Sequence, residues 1–336
     1  MLKVGHVVSD REITRRYLYN ICKYRISKGI KHCLITTEKD PYSEAFRKIG
    51  VSCHSFNSKA QLKTILSSVD TVNFHWWTFP KELHALVHSL QIPYFVTLYT
   101  PEQIPASIPT IICQFGFIKS RQKKPDRCVV IPEGVDTDKV TKLPRPFVRD
   151  KYSKCRNTAN RCLRLIAPGS LTQCNDDFWI LMSELLSQET AIELEIIRPG
   201  WKSVKRIKAI NRRDLIFHSL AISDAALYLP QPYDLKKILD SFSFVLLAMT
   251  MGIPCILGKN IVTDELIHKG CGLPLRVDNP IATARRIAAF MHNGRLLRSA
   301  AASSQAIVKD QFDIKKNTQQ YEQVITQVVS TRTPDR

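Results

Sequence analysis

His75 closes an apolar run in DTVNFHW (Asp70 to Trp76), and a histidine there either moves a proton or is a satisfied structural side chain. Its place at the carboxyl end of a strand, where open parallel sheets bind their ligands, adds weight to the first role. Gly134 in VIPEGVDTDK (Val130 to Lys139) is either a turn former or a position kept bare so that a ligand can approach the backbone. Gly169 in PGSLTQCN can turn backbone N–H groups toward a phosphate, and a helix starting near Asp176 points its partial positive end at the same place. Asp176 and Asp177 oppose an anion there. Arg198 in RPG ends another strand, with Lys202, Lys205 and Arg206 behind it. These cations either contact phosphate or line a solvated basic helix. Arg11, Arg15 and Arg16 follow the first strand and either meet an anionic ligand or form an exposed helix face.

The elements that must hold these residues follow from hydrophobic periodicity. Short apolar runs alternate with segments of helical period, the pattern of a parallel sheet wrapped by helices. Leu2 to Val8 reads as a strand, Ile13 to Ser27 as a helix, and His32 to Thr36, Val51 to Phe56, Val72 to His75, Tyr94 to Leu98, Thr110 to Cys113 and Cys128 to Ile131 as further strands. From Thr137 to Arg164 prolines, polar residues and charges replace the periodicity, which suits a linker. Alternation then resumes with strands expected at Leu163 to Ala167, Ile192 to Ile197, Leu215 to Phe217, Ala225 to Leu229 and Cys255 to Leu257, and a helix at Asp177 to Leu186. The expected fold is α/β, with two Rossmann-like doubly wound domains facing a cleft. The expected boundaries are 1–140, a basic linker 141–162, a second domain 163–311, and a last helix 312–330 returning to the first.

Forty-nine Lys and Arg against 30 Asp and Glu leave a formal charge of +19, which attracts phosphates, nucleic acid or an anionic membrane face. The density peaks between Lys119 and Arg164, with 14 Lys or Arg against five acids. No stacking motif, zinc finger or helix-turn-helix signal accompanies it, so a nucleic-acid role is disfavoured. An anionic lipid surface is the preferred partner, at about 1 kcal/mol per basic residue near it. The N-terminus has at most four consecutive apolar residues before charges arrive, too few for a secretory signal, so a cytoplasmic location is expected. The ten cysteines never come closer than seven apart, a spacing that matches neither a zinc motif nor a redox pair, and they read as reduced, mostly buried thiols. Ser241 to Gly258 runs 18 residues without a charge, but Gly252 and Pro254 interrupt it, so a helix followed by a buried strand is expected.

Several of these segments carry a resemblance. VIPEGVDTDK is similar to a loop of glycosyltransferase family 4, the retaining GT-B sugar transferases, with Glu133 where the family has Asn. ELIHKGCGLPLRVDNP (Glu265 to Pro280), the two helices after it, QFD and a final helix follow the order of that family's tail, and DTVNFHW resembles its histidine-ending strand. The resemblance implies transfer of a sugar from a nucleotide-sugar donor to a glycan or lipid-linked acceptor in surface-polysaccharide assembly, with retention and without a cofactor or bound metal. It places His75 and the Glu133–Gly134 loop near the reacting sugar, Gly169 and Ser170 near the diphosphate, and Asp240 near the sugar hydroxyls. Trp76 and Trp77 are adjacent, so one either packs on a sugar or both belong to the core.

The donor side departs from the family. Ser170 and Asn175 stand where relatives carry an Arg and a Lys that neutralise the departing diphosphate. In DSFSFVLLAMTMGIPC, Asp240 occupies the first of two glutamate positions and the second is missing; Asp234 is a rival for the first. Tyr99 replaces a histidine in TLYT and removes one proton-transfer candidate. Either other groups bind the donor, or the chain is a catalytically inactive GT-B-like protein that binds a glycan or a partner transferase.

Overall fold

The computed structural model describes residues 1–8, 12–37, 41–75, 81–105, 107–140, 163–168, 176–197, 207–210, 215–229, 235–277 and 279–331. The chain forms two compact units, Met1–Gly134 with Gln311–Arg336, and Val135–Asp310. The expected linker at 141–162 lies outside the described residues.

In the first unit seven parallel strands, β1 (Leu2–Val8), β2 (Ile30–Thr36), β3 (Ser52–Ser55), β4 (Thr71–His75), β5 (Tyr94–Leu98), β6 (Ile111–Cys113) and β7 (Cys128–Val130), lie in the order β3-β2-β1-β4-β5-β6-β7. Between them run α1 (Glu12–Lys23), α2 (Ser43–Lys48), α3 (Lys59–Leu66), α4 (Lys81–Ser89) and α5 (Gly116–Ser120). The order reverses between β1 and β4, the switch point at which such sheets bind ligands. His75 is the last residue of β4 and pairs with Val8, the last residue of β1.

Register sorts the side chains of this sheet into unlike faces. Val4 pairs with His32, His6 with Asn73, and His75 with Thr97, so these residues share one face. Gly5, Val7, Cys33, Ile35, Val72, Phe74, Val96 and Leu98 take the other, giving it an apolar centre. Helix α1 covers the polar face because Tyr17, Leu18, Ile21 and Cys22 fall on one side of its 3.6-residue turn, and all four are buried.

The second unit repeats the plan. After α6 (Thr137–Val140), the parallel strands β8 (Leu163–Pro168), β9 (Ile192–Ile197), β10 (Ile207–Ile210), β11 (Ala225–Tyr228), β12 (Cys255–Gly258) and β13 (Gly272–Leu275) lie in the order β10-β9-β8-β11-β12-β13. Helices α7 (Asp176–Thr190), α8 (Leu215–Ile222), α9 (Leu235–Thr250), α10 (Thr263–His268), α11 (Pro280–His292) and α12 (Gly294–Gln311) accompany them. Leu165, Leu194, Leu227 and Ile256 of the strands pack with Trp179, Leu186 and Ile287 of the helices. Two segments differ from the periodicity. Leu215 to Phe217, expected as a strand, opens helix α8; the short apolar run LIF carries no period that separates helix from strand. Ile207–Ile210, which follows the basic run after Arg198, is an edge strand.

The last helix, α13 (Ile314–Ser330), belongs to the first unit. Asp313 caps it, accepting from the N–H groups of Lys315 and Lys316 at 2.9 and 3.1 Å. Asn317 Nδ2 donates to the Pro132 carbonyl at 3.0 Å, and the Glu322 carboxylate accepts from the N–H groups of Ile26 and Ser27 at 2.9 and 3.0 Å. These bonds fasten α13 to the loop after β7 and to the loop after α1. A Cβ on Gly134 would meet Ile314 Cα at 2.6 Å. The missing side chain at Gly134 therefore admits the first turn of α13. We expect Gly134→Ala to destabilise the first unit by about 1–3 kcal/mol, since the clash is with backbone that cannot rotate away. Urea unfolding followed by circular dichroism measures it, and an unchanged midpoint would contradict the packing described.

Candidate functional site

Around the switch point of the first unit the polar sheet face forms a buried network. His75 Nδ1 lies 2.8 Å from Tyr99 Oη, and His75 Nε2 lies 3.2 Å from His6 Nδ1 and 3.1 Å from Asn73 Nδ2. His6 Nε2 is 2.9 Å from His32 Nδ1. Asn73 Nδ2 also donates to Tyr321 Oη of α13 and to Thr97 Oγ1. Tyr17 packs edge-on against both Tyr99 and Tyr321. His6, Asn73, His75, Thr97 and Tyr99 have no exposed surface.

Burial decides the charge state of this network. It holds His75 down at about 3, and it holds His32 at about 4 with the Arg25 charge adding to the effect. Burial and two histidine neighbours push His6 down as well, while burial pushes the Tyr99 and Tyr321 hydroxyls well above the ordinary phenol range. At neutral pH the rings are neutral and the phenols protonated. A base near 3 with no exposed surface is poorly matched to proton transfer at pH 7. What the network does is fix the carboxyl end of β4.

Glu133 is buried in the loop after β7, and Arg16 reaches it from α1 with a two-pronged bond, Nε to Oε1 at 2.5 Å and a terminal nitrogen to Oε2 at 2.9 Å. Two residues that the sequence puts in different roles, an anion contact and a loop acid, thus satisfy each other. Gly134, considered above as a turn or as a bare approach for a ligand, is occupied by the backbone of α13. Gly169, Ser170 and Arg198 lie outside the described residues, as do Trp76 and Trp77. Gly169 and Ser170 follow directly on Pro168, which ends β8 beside β11 at the second unit's own switch point. Asp240 lies within α9.

Sequence reasoning missed His6, His32, Asn73 and Tyr321. The signal available was a histidine or asparagine inside strands that are mostly apolar: His6 in LKVGHVV, His32 in IKHCLIT, and Asn73 and His75 in TVNFH. In the second unit a cavity of about 380 Å³ is lined by Lys259, Leu275, Arg276 and Arg286, with Lys259 directly after β12 and Arg276 directly after β13. Two cations at the carboxyl edge of a parallel sheet and a third, Arg286, from α11 suit an anionic ligand.

No protein-family profile and no curated protein sequence matches the chain. Solved structures do. A glycosyltransferase from Rickettsia africae superposes with a TM-score of 0.76 at 14% identity, covering 99% of both chains. HepE from Anabaena, in a structure with UDP, superposes with a TM-score of 0.72 at 13% identity over 97% of this chain and 100% of that one. Sucrose-phosphate synthase from Thermosynechococcus elongatus gives 0.64 at 10% identity over 98% and 100%. The fold is GT-B.

In this GT-B chain both sheets follow one strand order, with His75 at the first switch point and the Pro168 strand end at the second. The Arg16–Glu133 pair holds α1 to the loop that leads into the second unit's sequence. Glu133 keeps 9% side-chain exposure and Arg16 27%, so the pair is only partly screened by water. We expect Arg16→Ala to cost about 2–4 kcal/mol by leaving the carboxylate without its partner. The double variant Arg16→Ala/Glu133→Gln should recover part of that loss in urea unfolding; strictly additive losses would show that the two side chains are not coupled.

Proposed function

We propose that this protein is a retaining glycosyltransferase similar to family 4, which moves a sugar from a nucleoside-diphosphate donor to a glycan or lipid-linked acceptor in surface-polysaccharide assembly. The observation that carries the proposal is the likeness of the whole chain, both units included, to the Rickettsia glycosyltransferase. The HepE structures, determined with UDP and with UDP-glucose, direct the choice of donor toward uridine diphosphate sugars.

Sugar transfer of this kind leaves a diphosphate whose growing charge must be neutralised in the transition state. With Ser170 and Asn175 in place of the family's Arg and Lys, we assign that task to Arg198 and to the cations that line the second unit's cavity, Lys259, Arg276 and Arg286. Gly169 and Ser170 contribute backbone N–H groups to the same phosphates, and Asp240 takes the sugar hydroxyls. His75 and the Glu133–Gly134 loop belong to the sugar's surroundings as positioning residues, since Tyr99, His6 and Asn73 occupy the ring of His75 and Arg16 occupies Glu133.

A second reading is favoured by the same departures, Ser170, Asn175 and the missing second glutamate: a GT-B protein that binds a glycan or a partner transferase without turnover. Calorimetric titration with UDP, combined with release of UDP from UDP-glucose, separates the two. Binding with slow release of UDP supports transfer, binding without release supports the inactive protein, and no binding of any nucleoside diphosphate at millimolar concentration overturns the transferase. Arg198→Ala should weaken UDP binding by about 1.5–3 kcal/mol, the worth of a hydrogen bond to a charged group.

The acceptor side of the proposal includes an anionic membrane surface. Arg121, Lys123 and Lys124 are exposed, and no helix among the described residues is long and apolar enough to cross a membrane. Sedimentation with vesicles containing phosphatidylserine should therefore fall steeply as salt rises. Equal sedimentation with neutral vesicles would remove the lipid partner.

A further inference from the structure

Beneath α1, the polar face of the first sheet brings together three side chains with metal-binding atoms: His6 of β1, His32 of β2 and Cys22 of α1. One ligand atom from each lies within 4.8 Å of the other two. All three are buried, at 0%, 2% and 1% exposure. The two imidazoles stack with centroids 5.1 Å apart. Since 26 residues separate the histidines, with Cys22 between them, no short spacing motif announces the group.

We assign the ring hydrogens from the donor and acceptor groups around them. Asn73 Nδ2 can only donate, and its two hydrogens are shared among Thr97 Oγ1, Tyr321 Oη and His75 Nε2, so His75 Nε2 is assigned as an acceptor and His75 Nδ1 as the donor to Tyr99 Oη. His6 Nδ1 faces that same accepting nitrogen and therefore carries its own ring's hydrogen. His6 Nε2 is left bare and accepts from His32 Nδ1. His32 Nε2 ends the relay as a bare lone pair, buried and with no hydrogen-bond partner. A desolvated acceptor without a donor is costly, and a cation bound there removes the cost.

We propose that His6, His32 and Cys22 form a closed binding site for one thiophilic metal ion. Two imidazoles and a thiolate suit Cu⁺ and Zn²⁺ rather than the oxygen-seeking cations. Charge selects between them. One thiolate cancels Cu⁺ and leaves a neutral buried complex, whereas Zn²⁺ would retain a net positive charge in a dry core near the Arg25 guanidinium. Binding sends the Cys22 thiol proton to solvent, while each imidazole keeps one hydrogen on the nitrogen that does not bind. The direct His6–His32 hydrogen bond is given up, as His6 Nε2 and the unpartnered His32 Nε2 then address the ion. His75 becomes the outer partner that orients His6, as second-shell groups do for metal-bound histidine. The site sits away from the strand ends and serves the stability of the first unit.

The test uses the full chain, refolded under reducing conditions with equimolar Cu⁺ or with equimolar Zn²⁺, desalted, and assayed for bound metal. One equivalent of Cu⁺ retained, Zn²⁺ retained less, and a higher thermal midpoint with Cu⁺ are the expected results. Cys22→Ser and His32→Gln should each lose most of the bound copper while circular dichroism shows a folded chain. Cys128→Ser should keep it. Failure of the wild-type chain to retain either ion would overturn the site without reference to any variant. Undiminished retention by folded Cys22→Ser would do the same, and a preference for Zn²⁺ would overturn the monovalent assignment.

Discussion

The first unit depends on sealing a polar sheet face inside a protein core. A central strand of a parallel sheet is buried on both sides, and a buried polar group without a partner costs about 1–3 kcal/mol. His6, His32, Asn73, His75 and Thr97 crowd that face, so it is stable only if their nitrogens and oxygens find one another. Apart from His32 Nε2 they do so, along a relay that runs through Tyr99 and ends on Tyr321 of α13. The cover thus comes from the opposite end of the chain, 248 residues from Asn73.

This explains why the last helix is fastened so heavily. Its cap at Asp313, the Asn317 bond to Pro132, the Glu322 carboxylate on two backbone N–H groups and the close approach at Gly134 all fix where Tyr321 stands. Each is a side-chain-to-backbone or backbone contact with little rotational slack. The same arrangement explains the neutrality of the three histidines: rings that exchange hydrogen bonds in a dry interior have no solvent to stabilise an added charge.

The second unit solves an easier problem. Its central strands contribute Leu165, Ala167, Leu194, Ile196, Leu227 and Ile256 to an apolar core in which Glu195 of β9 is a buried exception, and Lys259 and Arg276 line a cavity at the strand ends. A sheet held by apolar packing tolerates changes in the loops beyond its strands. The strand order is intact beside Ser170 and Asn175, the positions at which the proposed family carries an Arg and a Lys.

Much of this was legible in the chain alone. Alternation of apolar runs with helical segments determined two doubly wound sheets, because a period of 2 or 3.6 is a local property that short windows contain. The same local pattern failed at Leu215, where an unbroken apolar run has no period to show. Composition determined the basic charge. Tertiary structure alone decided which polar residues meet: that Arg16 answers Glu133 across 117 positions, that His75 is filled by Tyr99 and Asn73, and that Gly134 makes room for Ile314. Those meetings follow from strand order and register, which place residues far apart in sequence side by side, and no periodicity along the chain encodes a distance of that kind.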